Sequence, residues 1–446
     1  MIKVVKFGGS SLADAHQFKK VGKIIRKDGD RRYVVPSAPG KRSPDDTKVT
    51  DMLYSCYAQA LLEEEDSQES FESLLGAIRE RYESIIRELG LSLSLEEEFR
   101  SIRENFTRKV GRDYAASRGE YLNGRIMAEY LGYEFIDAAE VICFDEAGNF
   151  DGEKTQKILS ERLAHTERAV IPGFYGAMPD GSVHTFSRGG SDITGALAAA
   201  ALDADVYENW TDVSGFLMAD PKIVKDPKPI ERITYAELRE LSYIGAQVLH
   251  EGTVSPVREK NIPLNIRNTN QPEHPGTMIR ETFEESETER TSGSMITGIA
   301  GKKGFSVITL TKNGMSSELG AVRRILEVLE RYNINVDYLP SGIDSVSLVV
   351  ETGKSSPYLY QAMGDLEKEI KPDSLHLTDG MAIVAAVGRK MAFQPGSSGK
   401  IFGKLGENGI NIRMITQGPE ELNIIVGVDG ADFEKAIRVL YDSFVK

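Results

Sequence analysis

Read for hydrophobic periodicity, the chain opens on a short apolar run, Ile2, Val4 and Val5, followed at once by Lys6-Phe7-Gly8-Gly9-Ser10-Ser11. Too brief for a helix, the run reads as a buried strand whose end opens into a glycine turn. Asp14 then stands where a cap belongs, before a helix whose Phe18, Val21, Ile24 and Ile25 share one face and which should end near Asp28-Gly29. Tyr33-Val34-Val35 predicts a second strand running into Pro36-Ser37-Ala38-Pro39-Gly40, and a polar loop to Lys48 leads to Thr50-Asp51 at the head of another helix. From 51 to 131 the pattern is helical, after which strand signals return at Phe135-Ile136, Ala169-Val170-Ile171, Val206-Tyr207 and 263–266 with helical stretches between them. Strands spaced by helices predict an α/β fold whose mostly parallel sheet is covered on both faces.

At 280–294 the pattern turns too polar and charged to bury a face, and the domain boundary is expected there. Beyond it a weak internal repeat is legible. Glu330 to Val336 ends one helix and enters a strand, as Gly406 to Ile412 does later; an apolar strand (Val346 to Val350, Leu422 to Val428) and a further helix follow each. Two β-α-β-β-α-β units account for the remainder.

Composition narrows the chemistry. A length of 446 residues accommodates three domains at roughly 150 residues each. The 27% charged and 40% hydrophobic fractions are those of a soluble globular chain. A net charge of -14 argues against nucleic acid or an anionic membrane as the main partner, so an anionic substrate would need a local basic pocket. Cys56 and Cys143 are the two cysteines, and the six histidines lack metal-ligand spacing, so neither a disulfide framework nor a structural zinc site is expected. With no membrane-length apolar run and a strand pattern from the first residues, the expected location is the cytoplasm.

Five clusters carry candidate chemistry. Lys6 before Gly8-Gly9 has the composition of a phosphate cradle, because paired glycines let backbone N–H groups approach an anion beside a positive charge. A strand-end Gly-Gly can equally be a plain turn, and no G-x-G-x-x-G or G-x-x-x-x-G-K-[ST] motif occurs. Ser37 with Thr50-Asp51 offers donors at a strand end, or merely a turn and a helix cap. Gly119-Glu120 punctuates an amphipathic helix, where a lone glutamate is ordinarily solvated. Phe186 to Asp192 places Arg188, Gly189, Gly190, Ser191 and Asp192 immediately before the small-residue helix Gly195 to Ala201. An anion would face N–H groups and a positive helix end there. A capping motif with Ser191 or Asp192 at the N-cap explains those two residues but not Arg188 or the glycines. Thr211-Asp212 with Ala219-Asp220-Pro221-Lys222 marks another strand end, where open α/β sheets bind ligands.

Together these motifs resemble the aspartokinases, of the amino-acid kinase fold, over nearly the whole chain. Lys6 to Ser11 resembles that family's K-F-G-G-T-S signature with Ser10 for threonine, and Gly119-Glu120, Gly173-Phe174, Arg188 to Asp192, Thr211 to Val213 and Asp220-Pro221 recur in the family's order. The resemblance implies a three-layer kinase domain over 1–285 and two ferredoxin-like ACT domains that bind regulatory amino acids, over 295–372 and 373–446. It implies ATP-dependent phosphorylation of L-aspartate to 4-phospho-L-aspartate, toward lysine, threonine and methionine. Catalytic roles fall to Lys6 and Asp192, and substrate binding to Thr50, Glu120, Phe174, Arg188 and Ser191, with Arg188 as a planar clamp on the α-carboxylate and Glu120 on the α-amino group. The nucleotide would be held by Lys6, Gly8, Gly9, Ser10, Ser37, Thr211, Asp212, Leu217, Lys222, Gln247 and Val248 with Mg²⁺ carried largely on ATP oxygens and no protein metal cage. Gln247, Leu217 and Lys222 depart from the family's lysine, tyrosine and arginine. Met315, Val336 and Asp337 match effector positions, with L-lysine the expected regulator and L-threonine an alternative, although Ser341-Gly342-Ile343 replaces the T-S-E of lysine-sensitive members. Pairing of such domains across subunits implies a homo-oligomer. Two competing readings keep the fold with another carboxylate or carbamate acceptor, or take the chain as an amino-acid sensor without catalysis; the Glu120 and Arg188 pairing and intact Lys6 and Asp192 disfavour them.

Overall fold

The computed structural model describes all residues except 63–64, 188, 246–248, 250–252, 285–294, 393 and 446. The chain forms two compact units, residues 1–216, 231–235 and 248–288 in the first and 217–230, 236–247 and 289–446 in the second.

The first unit is built on strands β1 (Lys3–Phe7), β2 (Arg31–Pro36), β3 (Glu134–Phe135), β4 (Ala169–Val170), β7 (Val206–Thr211), β8 (Arg232–Thr234), β9 (Leu264–Asn268) and β10 (Thr277–Arg280), with β5 (Tyr175–Ala177) and β6 (Val183–Thr185) pairing apart as a hairpin. Their order is β3-β4-β2-β1-β7-β9-β10-β8, and every neighbour is parallel except β9 with β10. Alternation along the strands decides the layers. On one face Val5, Phe7, Val34, Val170 and Trp210 join a core with the helices Ala15–Lys27, Val49–Ala60, Glu65–Leu89, Glu96–Thr107 and Arg112–Leu131. On the other, the helix Gly190–Ala201 packs on β1, β2 and β7. The sheet is thus sandwiched, as a parallel sheet must be. Asp14 caps its helix as expected, accepting from Gln17 N–H at 2.9 Å, and the helix ends at Lys27.

The second unit holds one antiparallel sheet, β12-β11-β13-β15-β14, from β11 (Gly298–Thr311), β12 (Ser345–Glu351), β13 (Ser374–Val387), β14 (Met414–Thr416) and β15 (Asn423–Asp429). β11 and β13 are each 14 residues long and serve both repeats. Phe305 to Thr311 pairs with β12 in the first repeat, while residues 298–303 pair with 382–387, the half of β13 that also pairs with β15. The second repeat therefore takes a strand from the segment preceding the first. No strand forms at 334–336, where one was expected. Asn333 turns the backbone left-handed at φ 54°, and pairing with β12 begins only beyond Val336, with Asp337 N–H on Val349 carbonyl at 2.8 Å and isolated bridges at Tyr338 and Ser341.

Candidate active site

Register brings the clusters at Gly8, Ser37 and Thr211 to one edge. Phe7 is level with Pro36 on one side and Trp210 on the other, so Gly8 and Ser37 leave the sheet at the carboxyl ends of adjacent strands, level with Thr211, the last residue of β7. The chain winds from β1 to β2 in one direction and places β7 on the other side, which makes this edge a topological switch point.

Gly8 N–H donates to Trp210 carbonyl at 3.0 Å, and Gly9 opens the short 3-10 turn Gly9–Leu12. Gly40 N–H donates to Gly9 carbonyl at 2.8 Å, and a Cβ on Gly40 would stand 2.6 Å from the Gly9 carbonyl carbon. Only glycine permits the two backbones to lie so close. Arg81, 4% exposed, fixes this loop by donating to Gly40 carbonyl at 2.7 Å while pairing with Asp46 at 2.8 Å. Hydrogen bonds from Arg42 and Arg81 hold the Asp46 carboxyl well below the usual carboxylate range. Arg81 was not legible as part of the site, because it lies on a helix face in a stretch with no motif.

Lys6 is 8% exposed, and its Nζ lies 2.7 Å from Asp192 Oδ1. Asp192 reaches it because the helix begins at Gly190, five residues before the expected start. Gly189 occupies the N-cap in the left-handed region at φ 60° with no side-chain cap bond. The capping account of Ser191 and Asp192 is therefore incorrect: both lie inside the first turn, and Asp192 pairs with a lysine. Asn209 Nδ2 donates to the same Oδ1 at 2.8 Å.

Glu120 lies mid-helix in Arg112–Leu131 and is 6% exposed, so the expectation of a solvated glutamate does not hold. Gly119 permits its approach, since a Cβ there would meet that of Ala38 at 2.8 Å. Glu120 Oε1 accepts from Ala38 N–H at 3.0 Å, while Oε2 is buried without a partner. Burial pushes its carboxyl up to about 8, against the Ala38 N–H, its own N–H and the Arg118 charge, all of which favour the anion. The same loop is held by Asn123, whose Nδ2 donates to Ser37 carbonyl at 2.7 Å. Thr50 Oγ1 would lie 3.8 Å from a Cβ on Gly119. Phe174 has φ 83°, an outlier for a bulky residue, and its N–H donates to Thr194 Oγ1 at 3.2 Å. Its ring would meet a Cβ on Gly190 at 2.7 Å, and Ser191, 9% exposed, packs on Gly173.

Thr211 Oγ1 donates to Asp212 Oδ1 at 3.2 Å at the end of β7. Lys6, Gly8, Gly9, Ser10, Ser37, Thr50, Glu120, Phe174, Ser191, Asp192, Thr211 and Asp212 all belong to the first unit. Leu217 and Lys222 belong to the second, while Arg188, Gln247 and Val248 lie outside the described residues. Among the effector positions, Met315 is buried, Val336 packs on the core of the first repeat, and Asp337 Oδ1 accepts from the Tyr243 hydroxyl at 3.3 Å.

The amino acid kinase family matches residues 1–268, and the ACT domain matches 384–444. Aspartokinase 3 of Bacillus subtilis is 36% identical over 99% of this chain and 98% of its own. The chain belongs to the aspartokinase family. The aspartate kinase of Clostridium acetobutylicum, a crystal structure, is 49% identical with a TM-score of 0.89 over 99% of both chains. Aspartokinase III of Escherichia coli, solved with aspartate and ADP, is 26% identical at a TM-score of 0.74 over 100% of both; solved with lysine and aspartate, it superposes at 0.72. These aspartokinases share both parts of the chain, the sandwiched kinase sheet and the C-terminal repeats. Among the described residues no helix is long and apolar enough to cross a membrane.

Proposed function

We propose that this aspartokinase transfers the γ-phosphoryl group of ATP to the β-carboxylate of L-aspartate, giving 4-phospho-L-aspartate in the cytoplasm as the first step toward lysine, threonine and methionine. The observation that carries this reading is the buried Lys6–Asp192 pair at the switch point, with the unpartnered Glu120 Oε2 in the same unit. The carboxylate of aspartate is already a competent nucleophile, so the protein has charge to neutralise and groups to align rather than a base to provide. Lys6 supports the negative charge on the transferring phosphoryl, and the N–H groups of Gly9 and Ser10 face the phosphates; Gly8 N–H is taken by the Trp210 carbonyl, so Gly8 serves there by its lack of a side chain. Glu120 takes the α-ammonium, Arg188 the α-carboxylate, and Thr50, Phe174 and Ser191 enclose the stem. Ser37, Thr211 and Asp212 hold the nucleotide, with Leu217, Lys222, Gln247 and Val248 assigned to it from the family pattern.

Mg²⁺ fits this donor set. Asp192 Oδ1 takes both Lys6 and Asn209, and its Oδ2 would be the one oxygen offered to the ion. Such a site suits an ion held chiefly by nucleotide oxygens, where it neutralises phosphate charge. End-product inhibition, by L-lysine first and L-threonine second, is assigned to Met315, Val336 and Asp337, and the repeats are taken to pair between subunits of a homo-oligomer. The lysine complex of the E. coli relative supports the first choice of effector. A coupled ADP-release assay with L-aspartate, L-glutamate and no acceptor, each with and without L-lysine or L-threonine, tests the whole. ADP release independent of aspartate would sink the reading.

A further inference from the structure

None of these roles uses Asn209, yet it touches both charged groups of the cradle. Strand register sets Asn209 beside Lys6, and period-2 alternation turns both toward the helix Gly190–Ala201 while Glu208 and Trp210 face the other way. Asn209 is 4% exposed, so its amide has to find partners inside the protein. It finds them on the ions: Nδ2 donates to Asp192 Oδ1 at 2.8 Å, and Oδ1 accepts from Lys6 Nζ at 3.4 Å.

We propose that Asn209 is a positioning residue for phosphoryl transfer, holding Lys6 and Asp192 in one geometry through the two ends of its amide. The proposal rests on the aspartokinase reading. The attraction between an ammonium and a carboxylate is not directional, and lysine carries its charge on a flexible four-carbon stem. A third, oriented group is what converts such a pair into a fixed arrangement. An amide suits the place because it alone among side chains of this length is donor and acceptor at once and carries no charge. When Lys6 turns toward the transferring phosphoryl, Asn209 keeps a hydrogen bond on Asp192 Oδ1, so the carboxylate stays aimed and its second oxygen remains available. Misplacement by about 1 Å costs on the order of 10²-fold in rate, which sets the scale of what such a residue protects.

Steady-state kinetics on the full-length chain test this with Asn209→Leu and Asn209→Asp. Asn209→Leu should lower kcat by about tenfold or more with the KM values for aspartate and ATP within about threefold, since the loss falls on alignment during transfer. Asn209→Asp should be slower still at neutral pH, because a second carboxylate repels Asp192 and competes for Lys6. It should recover as pH falls, when the protonated carboxyl again donates to Asp192 and accepts from Lys6. The charged groups facing this position are Lys6 from β1 and Asp192 from the helix; Arg31, Glu208 and Arg267 are joined to one another on the opposite face. A merely structural role would lower thermal stability and leave the shape of the pH profile unchanged. Wild-type kcat in folded Asn209→Leu, or an Asn209→Asp profile parallel to wild type, overturns the proposal, and the second comparison decides alone if the leucine variant does not fold. A wild-type protein inactive on aspartate would instead defeat the kinase reading.

Discussion

Aspartate should bind more tightly as pH rises through about 8 and should release a proton as it does so, because Glu120 is protonated in the free enzyme at neutral pH. Its carboxyl, 6% exposed, has an ordinary value of 4.5 and is lifted to about 8 by burial. At pH 7 roughly nine molecules in ten then carry the proton, and an ammonium can be received well only after it leaves. Apparent affinity at pH 7 should be about tenfold weaker than at pH 9, or about 1.4 kcal/mol. Isothermal titration with a non-hydrolysable ATP analogue, in buffers of differing ionisation enthalpy, should count close to one proton released at pH 7 and about 0.1 at pH 9. Stability carries the opposite face of the same linkage. Between 4.5 and about 8 the folded protein holds a proton that the unfolded chain has lost, so the unliganded protein loses stability as pH rises through that window by on the order of 5 kcal/mol. Glu120→Gln should flatten both profiles and weaken aspartate binding at pH 9 by about 10 to 100-fold, the value of a hydrogen bond to a charged group. Proton release at pH 7 that is absent in wild type, or unchanged in Glu120→Gln, would refute the argument.

What the sequence could and could not disclose follows from how local each feature is. The cap at Asp14, the strands at Val4-Val5 and Val34-Val35, and the glycine turn after Lys6 depend on neighbours within a few residues, and all were legible. The burial of Glu120 depends on layers: the helix Arg112–Leu131 buries residues on nearly every side, from Ala115 to Ala128, so its pattern has no clear polar face to read. Strands β5, β6 and β8 span three residues each, too short for alternation to register. In β11, Gly301-Lys302-Lys303-Gly304 interrupts the apolar pattern where the register against β13 shifts and β12 joins the other edge from Phe305. The start of Gly190–Ala201 is masked in the sequence because glycine, serine and aspartate read as turn and cap, while in three dimensions Asp192 sits within the first turn of the helix, opposite Lys6. The Lys6–Asp192–Asn209 group spans 203 residues of chain, and only the parallel pairing of β1 with β7 assembles it.

Three further outcomes are expected. Lys6→Ala should lower kcat by about 10² or more while the KM for aspartate changes only a few-fold, as measured by coupled ADP release; near-normal kcat in the folded variant would remove Lys6 from the chemistry. Arg188→Lys should weaken aspartate far more than ATP in separate titrations, because the lysine ammonium keeps the charge but cannot form a bidentate pair, and a loss confined to ATP would reassign the residue to the phosphates. The last concerns regulation, and its argument starts from Asp337, whose carboxyl is pushed up by burial and receives the Tyr243 hydroxyl at 3.3 Å. An effector ammonium arriving at Asp337 would have to compete with that hydroxyl, so a ligand held there would act on Tyr243 of the same unit. Asp337→Ala should raise the L-lysine concentration for half-inhibition by about 10 to 100-fold, in line with couplings of roughly 1 to 3 kcal/mol, and leave uninhibited kcat within about twofold. An unchanged inhibition curve in that variant would show that the effector binds elsewhere.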